Sequence, residues 1–208
     1  MKKTLILSIL GLTAAAVSSY GQGSVAFDTY DTHSSAGTIT TYGNGALVGT
    51  GIGSTFTGEL LWSTVDIVDS ATTGPLTVGS QLTAGWNVGI SGLFSTGNVS
   101  APNSGFISLQ NNLNLTAGQW NQSSTVYFEV VAFSGSGYAS TAGTFAGHSA
   151  TFTAVPAIAP AIPNGSSQLN NLAPFSVYSV TAVPEPTSLA LAGLGGFGML
   201  MALRRKKA

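Results

Sequence analysis

The chemistry open to this chain rests on few side chains: seven Asp and Glu, two His and no Cys among 208 residues. Asp28 and Asp31 stand three residues apart, as do Asp66 and Asp69, and neither pair has a basic neighbour. Hard oxygen ligands of this kind suit Ca²⁺, which would also offset their charge. Neither stretch has the alternating Asp/Asn spacing and closing Glu of an EF-hand loop, so the plainer reading is solvated acids at strand ends. Glu59 and Glu129 form a second candidate pair, since glycoside hydrolysis uses two carboxyls about 5 to 10 Å apart. Two lone glutamates in strands more commonly face solvent. His33 and His148 can be combined with Ser149 and Asp31 into a Ser-His-Asp set. No Gly-Xaa-Ser-Xaa-Gly elbow and no His-Glu-Xaa-Xaa-His pattern accompanies them, and Gly147-His148-Ser149 reads as a strand-entry turn. Without Cys there is no disulfide, thiolate metal site or thiol nucleophile. Among the tryptophans, Trp62 and Trp86 read as core, whereas Trp120, flanked by Gln119, Asn121 and Gln122, is expected at the surface. An exposed indole there is the candidate for stacking on a sugar ring.

Charge narrows the field further. All six Lys and Arg lie at the two ends: Lys2, Lys3, Arg204, Arg205, Lys206 and Lys207. From Gln22 to Val183 stand Asp28, Asp31, Glu59, Asp66, Asp69 and Glu129, so this body is near −6 although the whole chain is −1. Nucleic-acid binding needs cations to neutralise phosphates, and the body has none to offer. Phosphate-cradling loops lose their lysine by the same argument.

The elements that position these residues read as strands. Val25 and Phe27 share one face of a first strand at Gly23 to Tyr30, and a short strand falls near Thr38 to Tyr42. Phe56, Leu60 and Trp62 lie on one side of the next strand, with Glu59 and Leu61 on the other. The densest run of β-branched and aromatic residues is Thr125 to Phe133, apolar on both faces and therefore expected at the centre of a sheet. Leu76 to Gly79, Trp86 to Ile90, Phe106 to Leu109, Ser149 to Ala154 and Phe175 to Val180 supply further strands, while 111–122 is polar and ambiguous. Residues 155–167 carry Pro156, Pro160 and Pro163 and read as a stiff surface connector. No helical period and no fixed repeat runs through the body. The expectation is an all-β fold: a single antiparallel β-sandwich or jelly-roll-like domain over 22–182.

The two ends carry addresses. Met1-Lys2-Lys3, an apolar stretch from Thr4 to Val17 and Ser19-Tyr20-Gly21 make a secretory signal peptide over 1–21, with cleavage between Gly21 and Gln22. At the other end, Val183-Pro184-Glu185-Pro186 precedes an uncharged run, 187–203, and then Arg204-Arg205-Lys206-Lys207. As a helix that run is about 25 Å long, enough for a short transmembrane span. The basic cluster predicts a cytoplasmic C-terminus. Pro184 and Pro186 bias Val183 and Glu185 away from helix, so the approach to the span is extended. A plain anchor and a processing site share this physics.

The residues themselves go further. The Pro-Glu-Pro triplet, the Gly/Ala/Leu-rich span and the terminal basic cluster over 183–208 resemble the PEP-CTERM sorting signal of Gram-negative bacteria. That resemblance implies recognition by an exosortase, a membrane-embedded cysteine-dependent transpeptidase, and cleavage near the triplet. Gly23 to Phe27, Phe56 to Leu60 and Phe175 to Val180 are similar to segments of small Gly-rich exported proteins that carry this tail. The expected protein is a cell-surface or extracellular-matrix structural protein, held at the inner membrane and then processed, and with no catalytic activity of its own. Its expected partners are the exosortase, the membrane before processing and extracellular polysaccharide, with no nucleic acid and no cofactor beyond Ca²⁺. The alternatives are a carbohydrate-binding module and, third, a secreted hydrolase.

Overall fold

The computed structural model describes residues 23–28, 40–94, 97–98, 101–102, 105, 107–116, 119–120, 124–158, 169 and 171–183. The expected signal peptide with Gly21 and Gln22, together with Asp31 and His33, lies outside them. So do most of the proline connector and everything from Pro184 onward, including the expected span and Arg204 to Lys207.

The described residues are all-β. The strands are β1 (Gly23–Asp28), β2 (Thr40–Tyr42), β3 (Phe56–Ser63), β4 (Leu76–Thr77), β5 (Asn87–Leu93), β6 (Gly97–Asn98) and β7 (Ala101–Pro102). They continue with β8 (Ser108–Leu115), β9 (Val126–Ser134), β10 (Phe145–His148), β11 (Phe152–Ala154), β12 (Ala157–Ile158) and β13 (Phe175–Thr181). An eight-stranded sheet runs β2-β13-β10-β9-β3-β5, with β11 also paired to β9 and β4 to β13. A three-stranded sheet runs β12-β1-β8, and β6 pairs with β7 alone.

Period-two alternation decides which side chains meet. Phe56, Leu60 and Trp62 of β3 and Val126, Phe128, Val130 and Ala132 of β9 project from one face of the large sheet. They join Val25 and Phe27 of β1 and Leu113 and Leu115 of β8 in one buried cluster, so the small sheet covers that face. The opposite face carries Leu61, Val131, Phe133, Ala146 and Val180. It is covered by Leu76 of the short β4 and by the loop residues Val78, Leu82, Trp86 and Tyr138. The central strand β9 is therefore buried on both sides, as its composition predicts.

Two expectations need correction and one open stretch is settled. The sheet is mixed, because β13 runs parallel to both β2 and β4. The cause is the last strand's position: it enters between β2 and β10, beside elements that the chain laid down much earlier. The polar stretch after Gln110 belongs in part to β8, where Leu113 and Leu115 point inward and pair with β1. The connector is not wholly superficial either: Pro156 is buried and Ala157 and Ile158 form β12 against β1.

Candidate functional site

Among the described residues, ionisable groups gather on the loop-covered face. It is built on an irregularity between β9 and its neighbours. His148 stands opposite Val131 and Phe152 opposite Phe128, so three residues, Ser149 to Thr151, face only Val130 and Glu129. This is a one-residue bulge, which interrupts the ladder and re-aims nearby side chains. Ser149 repairs part of it, its Oγ accepting from the Val130 amide at 3.0 Å and donating to the Ala150 carbonyl at 2.9 Å.

A loop docks into the same irregularity. The Thr72 amide donates to the His148 carbonyl at 3.0 Å, and the His148 amide donates to Thr72 Oγ1 at 2.9 Å. The Asp69 amide donates to Thr151 Oγ1 at 3.0 Å, and the Thr151 amide returns a bond to the Asp69 carbonyl at 3.1 Å. These reciprocal bonds seat the Asp69 side chain over β9.

Three ligand-type atoms converge there. One oxygen each of Asp69 and Glu129 and one ring nitrogen of His148 lie within 4.8 Å of one another. The Glu129 side chain is 0% exposed, and among the described residues neither carboxyl oxygen has a hydrogen-bond partner. His148 Nδ1 lies 3.5 Å from Glu129 Oε1, an ion-pair separation too long for a good hydrogen bond, and 3.1 Å from the Ser149 carbonyl. Asp69 is more open: its Oδ1 accepts from the Ser70 amide at 2.9 Å and its Oδ2 from Thr83 Oγ1 at 2.5 Å. Burial, and secondarily the Asp69 charge, pushes the Glu129 carboxyl up to about 8. Burial likewise raises the Tyr138 phenol to about 12, an effect opposed by its hydrogen bond to Thr72 and reinforced by Glu129 and Asp69. The Tyr138 ring stands edge-on to the His148 imidazole at 6.1 Å.

The structure redistributes the candidate residues. It takes Asp69 from the expected Asp66/Asp69 pair, Glu129 from the Glu59/Glu129 pair and His148 from the Ser-His-Asp set, and brings those three together. Asp66 is exposed and outside the group, and Asp28 ends β1 in the other sheet. Glu129 does not face solvent, contrary to expectation. Glu59 shares its face of the sheet but is only half-buried, with its carboxyl raised by that burial. Ser149 has its hydroxyl committed to backbone, and Asp31 and His33 lie outside the described residues.

Trp120 also departs from expectation. It is 3% exposed, its Nε1 donates to the Ser124 carbonyl at 2.9 Å, and its ring presses on the backbone of Gly23. No face is left for a sugar, so the indole that motivated glycan stacking is a core residue.

At the chain's other functional end, β13 closes at Thr181, and Ala182 and Val183 follow as exposed residues leading toward Pro184. A family model described as the PEP-CTERM protein-sorting motif matches residues 182–206. No curated protein and no solved structure matches the chain. The match identifies a sorting signal of the kind processed by exosortases on exported proteins.

Proposed function

We propose that this chain is an exported surface or extracellular-matrix protein, non-catalytic in itself, whose PEP-CTERM signal holds it at the inner membrane only until an exosortase acts. One observation carries the reading: the matched motif starts at Ala182, directly after β13 ends at Thr181. The sorted cargo is thus the β domain itself, with no linker between its last strand and the processing segment. Cleavage near Pro184-Glu185-Pro186 leaves every described strand intact.

The finer steps follow from the residues at each end. Residues 1–21 direct export and are removed, 187–203 span the membrane, and Arg204 to Lys207 keep the C-terminus cytoplasmic. Processing then releases an acidic body with no Lys or Arg. A structural role is supported by the body's chemistry. Among the described residues, Phe27, Phe56, Trp62, Phe94, Trp120 and Phe128 are buried in the core that joins the two sheets. Mass spectrometry of the protein recovered from envelope and medium tests the reading. The mature chain is expected to begin near Gln22 and to lack Arg204 to Ala208. An intact basic tail on surface-localised protein would overturn it.

A further inference from the structure

We propose that Asp69, Glu129 and His148 form a binding site for a divalent transition-metal cation, with Zn²⁺ the best-suited ion, and that the metal pins the docked loop to the large sheet. The site is independent of the sorting signal and lies wholly within the β domain.

Three observations support it. The first is convergence: the three ligand atoms come from a loop, the middle of β9 and the end of β10, yet lie within 4.8 Å of one another. Zn²⁺ ligands in a tetrahedral site stand about 2.0 to 2.2 Å from the metal and so about 3.3 to 3.6 Å from one another, a spacing that His148 Nδ1 and Glu129 Oε1 already have at 3.5 Å but that the full set, spread over up to 4.8 Å, does not. A small adjustment of the more open Asp69 side chain supplies the difference.

The second is Glu129. A fully buried carboxyl with two unpartnered oxygens is an expensive thing to keep in a core. Proteins meet that cost by keeping the carboxyl protonated or by pairing it with a cation, and this body contains no Lys or Arg to supply the cation. His148 is the nearby basic group, and at 3.5 Å its Nδ1 does not satisfy the carboxyl by a hydrogen bond. A bound dication satisfies it directly and offsets Asp69 as well.

The third is the choice of donors. One imidazole with two carboxylates suits Zn²⁺ and its neighbours, whereas Ca²⁺ collects six to eight oxygens, roughly, and has little use for a ring nitrogen. His148 is held by backbone bonds to Thr72 on both its amide and its carbonyl, so its ring is presented from a fixed position. Three protein ligands leave a further coordination position for water on the open, Asp69 side.

The consequence for the fold is specific. The loop carrying Asp69 reaches the sheet through hydrogen bonds at Thr72 and Thr151, and no disulfide or Lys/Arg ion pair is available to reinforce it. Metal binding is folding free energy in such a case.

The test uses the untagged full-length chain, purified in detergent and stripped with a chelator, then titrated separately with Zn²⁺ and Ca²⁺. Bound metal is counted by elemental analysis after gel filtration, and affinity is read by competition with a chromophoric chelator. One Zn²⁺ per chain is expected, undisturbed by excess Ca²⁺, together with a higher Tm. Losing an outer-shell partner weakens metal sites roughly 10- to 100-fold, and losing a ligand should exceed that. Glu129→Gln and His148→Gln are each expected to do so, while His33→Gln leaves binding unchanged. Glu129→Gln keeps the side-chain shape and removes only the ionisable carboxyl, so circular dichroism of its metal-free form should match that of the parent. The proposal is overturned if the stripped chain retains no Zn²⁺, if binding survives both substitutions, or if Ca²⁺ competes equally.

Discussion

Glu129 shows how one residue can make stability depend on pH. In the metal-free protein its carboxyl titrates near 8, against 4.5 for an ordinary glutamate. The groups facing it are Asp69, His148 and Tyr138, and the Asp69 charge adds to the effect of burial. Below about 4.5 the group is neutral in folded and unfolded chains alike. Between there and about 8 the unfolded chain gives up a proton that the folded chain keeps, so stability falls as pH rises through this window. Each unit of displacement corresponds to about 1.4 kcal/mol, which makes the total loss several kcal/mol at most. Urea midpoints measured with chelator across that range should decline for the parent chain and stay nearly flat for Glu129→Gln. Equal slopes would show that Glu129 is ionised in the fold. With Zn²⁺ present the order reverses, because metal binding needs the deprotonated ligand and so strengthens with pH.

At the scale of elements, the position of His148 depends on how closely β10 approaches β13. Gly147 makes that approach feasible: a Cβ there would sit 2.3 Å from the Ser176 carbonyl oxygen and 3.0 Å from Val177 Cα, both backbone atoms that cannot step aside. Gly147→Ala is expected to push the strands apart at a cost of about 1–3 kcal/mol, seen as a lowered Tm, and to weaken Zn²⁺ binding by displacing the neighbouring imidazole. A Tm equal to the parent's would contradict the tight packing. The same elements show what a sequence discloses. The faces of β3 and β9 are legible in the sequence, because period two sorts Phe56, Leu60 and Trp62 from Leu61, and Val130 from Val131. Trp120 is not, because its polar neighbours speak only for local exposure, while a distant glycine, Gly23, provides the flat surface on which the indole packs. The site is hidden for a related reason. Asp69, Glu129 and His148 have no motif spacing, and they meet only through a bulge of one residue and a loop that docks into it.

For the whole molecule, the position of β13 ties folding to sorting. Phe175, Val177 and Val180 are buried, and the strand pairs with β10 on one side while running parallel to β2 and β4. The eight-stranded sheet therefore cannot be completed until nearly all of the body has crossed the membrane. The sorting motif starts at the next residue, and under the proposed function it would keep the chain tethered through that moment and become dispensable afterwards. Two truncations separate these roles. A chain ending at Val183 is expected to unfold cooperatively at close to the parent's Tm, whereas one ending at Pro174 lacks a central strand and should show no cooperative transition and rapid proteolysis. If the shorter chain folds as well as the longer one, β13 is peripheral to the fold and the coupling fails. If the longer one fails to fold, the sorting segment contributes to the domain rather than merely delivering it.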